Sequence, residues 1–237
     1  MPEAWSHVRE NLERVRADIA RASERAGLPL PRLVAVSKGQ PSDAVRAAFA
    51  AGQRVFGENY VQELLGKRAD LADLEGLEFH TIGPLQRNKV KDCLRACEVI
   101  QTVDRIELAT EIDKRVVTTP RPPGRMPVLV QVNVGLEPQK SGVLPDAAPA
   151  LVERIVALPN LRLLGLMTVP PLEQDASQNR PLFAALRVLR ERLVARGLGP
   201  LPELSMGMSH DFAEAILEGA TMVRVGTAIF GARAPRA

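Results

Sequence analysis

The stretch LVAVSKGQPSDAVRAAFAAGQRVFGEN, residues 33–59, holds one full turn of the rhythm that decides the fold. It opens on an apolar run, LVAVSK (33–38), and closes on another, RVFGEN (54–59). The Ala-rich segment 42–51 between them reads as a helix. A strand, a helix and a second strand in so short a span make a βα repeat, the unit of a parallel sheet.

Working outward, the rhythm continues. Further strand-like runs are EFHTIG (78–83), VIQTVD (99–104), VLVQVNV (128–134), LLGLMTV (163–169), ELSMG (203–207) and MVRVGTAIF (222–230), which makes eight in all. Several are apolar throughout, as strands covered on both faces must be. Helices are predicted over 60–73, 86–96, 105–117, 146–157, 176–196 and 210–219. Eight strands with helices between them predict a single (β/α)8 TIM barrel spanning 1–237 as one domain. An open doubly wound sheet is the main alternative, but the first strand–helix turn lacks the G-x-G-x-x-G of dinucleotide binders. Ahead of the first strand, Val8, Leu12, Val15, Ile19, Ala22 and Ala26 recur at helical spacing, predicting an extra N-terminal helix that Gly27 and Pro29 end. The irregular stretches 119–127 and 170–181 read as loops, because the alternation resumes directly after each.

Composition bounds the function. Of 237 residues, 46% are hydrophobic and 25% charged, the balance of an ordinary folded domain. The net charge is +3 and only 3% of residues are aromatic, so neither a strong basic patch nor a base-stacking platform argues for nucleic acid. The N-terminal stretch is too charged for a secretory signal, and no apolar run is long enough to span a membrane. These features predict a cytoplasmic protein. Cys93 and Cys97 stand four apart without a nearby His and read as packed thiols, not a metal site.

Barrels keep their chemistry at the C-terminal ends of the strands. Lys38 closes the first run. Burial would favour its neutral amine, the form that attacks a carbonyl, while a stem that reaches out to solvent at the rim is equally compatible with its position. After the seventh and eighth runs come SMGMSHDF and RVGTAIFG, where Gly207, Ser209, Gly226 and Thr227 offer amides and hydroxyls of the kind that bind phosphate. Ser209 is also placed to cap the helix at 210–219. Arg224, two residues before Gly226, faces the same side and could donate to a ring nitrogen or pair with an acid. His80, inside the third run, reads as a packed core residue, and Glu58 with Asn59 as ligand-orienting or helix-capping groups.

Taken in order, AVSK (35–38), FGENYVQE (56–63), HTIGPLQRNK (80–89), KSG (140–142), GLM (165–167), LSMGMSHD (204–211) and MVRVGTAIFGAR (222–233) resemble the YggS/PROSC family of pyridoxal phosphate (PLP) homeostasis proteins, also called PLPBP. The resemblance covers nearly the whole chain. It implies a fold type III, alanine racemase-like PLP barrel carrying the cofactor as an internal aldimine on Lys38. It further implies phosphate contacts from Ser205, Gly226 and Thr227 with the Met206–Ser209 loop, Arg224 at the pyridine nitrogen, and Asn59 and His80 beside the ring. An arginine keeps its own proton and leaves that nitrogen neutral, which weakens the electron sink.

The resemblance thus points to a non-catalytic, monomeric carrier serving vitamin B6 and amino-acid homeostasis, with PLP-dependent apo-enzymes as recipients. The alternative is an amino-acid racemase of the alanine racemase type. Racemases of that type take a second base from a further domain, for which no length remains after the eighth run. His80 or the single tyrosine, Tyr60, would have to replace it. A third reading, a barrel enzyme for another phosphorylated metabolite, leaves Lys38 without a role.

Overall fold

A computed structural model describes residues 5–171 and 175–232 of the chain. Among these residues eight parallel strands close into a barrel in sequence order. They are β1 Arg32–Val36, β2 Val55–Glu58, β3 Glu78–Thr81, β4 Val99–Val103, β5 Met126–Gln131, β6 Leu161–Met167, β7 Glu203–Met208 and β8 Met222–Val225. The ring closes where β1 pairs with β8, from Arg32 opposite Met222 to Ala35 opposite Val225. That seam rules out the open doubly wound sheet.

Nine α-helices surround the barrel among the described residues: α1 His7–Ala26, α2 Ser42–Ala50, α3 Val61–Asp70, α4 Val90–Leu94, α5 Ile106–Val116, α6 Ala148–Val156, α7 Arg180–Ala195, α8 Phe212–Leu217 and α9 Thr227–Phe230. Helix α1 buries Val8, Leu12, Val15 and Ile19 as one stripe and stops at Gly27, whose φ of 63° is left-handed. It packs on α2, α8 and α9. Asn11 on α1 donates to the Ile229 carbonyl at 2.9 Å.

Four predicted elements differ, the first being the 176–196 helix, which splits into a 3-10 turn, Ala176–Asn179, and α7, so that the loop read at 170–181 ends at residue 175. The run 222–230 ends as a strand at Val225, and Thr227–Phe230 turns into α9. The 86–96 helix splits into a 3-10 turn, Arg87–Lys89, and the short α4. The fifth strand lies at Met126–Gln131, shifted toward the N-terminus from 128–134. The loop predicted at 170–181 includes residues 172–174, and the last motif includes Arg233; these lie outside the described residues.

Alternate strand residues divide the interior. Phe56, Phe79 and Ile100 are fully buried in the main apolar core, which also holds the inner faces of the helices. The barrel interior is more polar. His80, Gln101, Ser205 and Arg224 are all buried, and hydrogen bonds run between them from β3 to β8.

Candidate functional site

A cavity of about 320 Å³ opens at the C-terminal ends of the strands. That places it near the lower end of small-molecule sites, roughly 300–1,000 Å³. Lys38, Asn59, Ser209, Arg224, Gly226 and Thr227 line it, six of the residues singled out from sequence. Val36, Ile82, Val169, Met208, His210 and Asp211 complete its wall.

Arg224 forms the floor on β8. Burial in the barrel draws its guanidinium down to about 10, partly opposed by the Asp211 carboxylate, so it remains a cation at neutral pH. One terminal nitrogen donates to Ser205 Oγ at 2.7 Å and the other to the Thr168 carbonyl at 2.6 Å. Among the described residues no carboxylate lies within ion-pair distance of it. A buried cation held by neutral acceptors and facing a cavity favours an electron-rich or anionic guest.

The walls are built by the β7 and β8 loops. Asp211, buried, accepts the Met208 N–H at 2.7 Å and the Asn179 side-chain amide at 2.8 Å, which fixes the 208–211 turn. The Gly226 N–H donates to Ser209 Oγ at 3.2 Å and joins the two loops. Ser209 therefore bridges loops, while Asp211 occupies the position before α8 that Ser209 was predicted to cap. The missing side chain of Gly226 matters here, because a Cβ would stand 3.1 Å from the Val36 carbonyl oxygen. On the opposite wall, Gly83 lets the β3 loop press against Asn59: a Cβ there would stand 2.4 Å from the Asn59 carbonyl.

Four predicted residues do not line the cavity. Ser205 lies beneath Arg224, and its hydroxyl donates to Gln101 Oε1 at 2.6 Å while accepting from the arginine. It holds the guanidinium instead of facing the cavity. His80 is deeper still. Its Nδ1 accepts from Gln101 Nε2 at 2.7 Å, so the proton sits on Nε2, which has no hydrogen-bond partner among the described residues. Burial, aided by the Arg32 charge, pushes this imidazole down to about 3. The Met206 side chain points away into the apolar core. Gly207 serves the turn: its φ is 90°, and a Cβ would meet the Ala215 Cβ at 2.6 Å and the Phe212 Cα at 2.8 Å.

Behind Lys38 is a charged cluster around Glu58, which neither lines the cavity nor caps α3 as predicted, and whose partner Lys67 the sequence did not single out. Lys67 on α3 is buried, and its Nζ donates to Glu58 Oε1 at 2.6 Å and to Glu63 Oε1 at 2.7 Å. Burial pushes the Glu58 carboxyl above its ordinary range, opposed by the Lys67 ammonium. In sequence Lys67 is one more charge on a polar helix, and only the docking of α3 reveals its burial.

The arrangement offers a lysine, a fixed guanidinium and two amide-bearing loops around one small cavity. These donors fit a compact phosphorylated carbonyl compound with a ring acceptor for Arg224. The chain matches the family described as "Alanine racemase, N-terminal domain" over residues 11–234. It is 48% identical over 233 residues to the pyridoxal phosphate homeostasis protein of Pseudomonas aeruginosa, covering 96% of each chain. To the protein of the same name from Aquifex aeolicus it is 46% identical over 226 residues, covering 94% of this chain and 97% of that one. Among solved structures, PipY of Synechococcus elongatus with PLP bound superposes with a TM-score of 0.81 at 38% identity, covering 94% of this chain and all of PipY.

Proposed function

Because the chain belongs to the alanine racemase N-terminal domain family, and within it to the pyridoxal phosphate homeostasis proteins, we propose that it binds pyridoxal phosphate in this cavity and carries it on Lys38. The observation that carries the proposal is the convergence of Lys38 and the buried Arg224 on one small cavity. Lys38 supplies the attachment amine. Arg224 supplies a donor for the ring nitrogen. Gly226, Thr227 and Ser209 supply amide and hydroxyl groups for the phosphate, with Met206 and Gly207 shaping that loop. Asn59 flanks the ring, and Ser205 and His80 support the floor. Bound there, the cofactor offers an electrophilic aldehyde and an electron sink, which a donor-only neighbour at the ring nitrogen leaves weak.

We read the chain as a single barrel domain and a carrier, not an enzyme. Two side chains considered as a racemase's second base lie off the cavity: His80 is buried beneath it with one nitrogen engaged, and Tyr60 is exposed just before α3. A cytoplasmic monomer that delivers PLP to apo-enzymes completes the proposal. In keeping with it, no helix among the described residues is long and apolar enough to cross a membrane.

Borohydride reduction of the pyridoxal phosphate-loaded protein, followed by peptide mapping, tests the central claim. The expected label is on the peptide containing Lys38 and is absent in Lys38→Ala. Label elsewhere overturns the attachment. Sustained amino-acid racemisation that Lys38→Ala abolishes overturns the carrier reading.

A further inference from the structure

Lys38 follows β1 by two residues, and the residues on either side of it are tied to other elements. Lys67 Nζ donates to the Ser37 carbonyl at 2.6 Å. The Ser37 hydroxyl donates to Glu58 Oε1, also at 2.6 Å. Past the lysine, the Gly39 N–H donates to Glu63 Oε1 at 2.5 Å, at a left-handed φ of 71° where the chain turns back. Glu63 and Lys67 are four apart and so share a face of α3.

An ammonium has three donors. Those of Lys67 reach Ser37, Glu58 and Glu63, so one side chain links β1, β2 and α3. Removing such charges from water is costly, and apolar packing would stabilise the barrel at least as well. What apolar packing would not do is fix a carbonyl before Lys38 and an amide after it. Neither Lys67 nor Glu63 lines the cavity; their hydrogen bonds to the Ser37 carbonyl and the Gly39 N–H hold the backbone on either side of Lys38, which does.

We propose that Lys67 and Glu63 are positioning residues that hold the 37–39 segment so that the Lys38 amine meets the carbonyl of its guest, a role that rests on the attachment reading above. Attachment joins Nζ, as the neutral amine, to the aldehyde carbon and releases one water. A displaced Nζ slows that union without weakening the phosphate contacts on the far wall.

Two ligands separate these effects. Pyridoxal phosphate can attach to Lys38; pyridoxine phosphate has an alcohol in place of the aldehyde and cannot. Parent, Lys67→Met and Glu63→Ala are each titrated with both, and borohydride trapping at Lys38 is timed. The expected result is trapping slowed about tenfold or more in both variants, with pyridoxine phosphate affinity changed by less than about twofold. Trapping at the parental rate in a folded variant overturns the proposal, as does an equal loss for both ligands. If Lys67→Met does not fold, Glu63→Ala decides alone, because the Glu63 side chain is partly exposed. A parent protein that takes no label at Lys38 overturns the attachment reading itself.

Discussion

Arg224 shows how one side chain sets the character of the site. Its guanidinium is nearly sealed from water, yet its hydrogen bonds go to a hydroxyl and a carbonyl, not to a carboxylate. Its charge is therefore left to act on whatever enters the cavity. Replacing it with Met removes a charged hydrogen bond worth about 1.5–3 kcal/mol. Pyridoxal phosphate affinity of Arg224→Met should fall by about tenfold to a hundredfold in an absorbance titration. Unchanged affinity would mean that the guest does not touch this group. Residues of this kind were legible in sequence because polar side chains at the ends of apolar runs stand out. Depth was not. Alternation along a strand sends both Ser205 and Arg224 inward, but which one reaches the cavity depends on strand tilt and on the register shift between β7 and β8.

At the scale of elements, the β7–α8 turn depends on Gly207. A side chain there faces two penalties at once, a left-handed backbone and contact with Phe212 and Ala215. Gly207→Ala should cost more than about 1 kcal/mol in denaturant unfolding. It should also weaken pyridoxal phosphate binding, since the displaced 208–211 turn carries Ser209. A variant with parental stability and affinity would show that the turn adapts freely. The barrel itself was readable because apolar runs alternate with helical segments at a nearly constant spacing. The element whose type was misread is α9. The segment TAIF carries β-branched and aromatic residues and continues an apolar strand, so its local preference is for β structure. Docking of α1 on α9, with Asn11 bonded to the Ile229 carbonyl, supports the helical turn instead.

At the scale of the whole molecule, His80 links the barrel interior to acid stability. The folded imidazole takes its proton near pH 3, against 6.5 ordinarily. As pH falls between these values the unfolded chain gains a proton that the folded chain refuses. The His80 contribution is thus complete above about 6.5 and drains away toward 3, on the order of 1 kcal/mol per pH unit. Denaturant unfolding at pH 7 and pH 5 should show a smaller acid loss in His80→Gln than in the parent. Equal losses would place the acid sensitivity elsewhere.

The β1–β8 seam has a consequence for folding. Lys38 precedes in the chain, by most of the barrel, the strand that completes its surroundings and carries Arg224. Such a long-range pairing pays its loop-closure entropy late. Both walls of the cavity stand together only once that ring closes, so a guest that needs Lys38 and Arg224 finds its site only then.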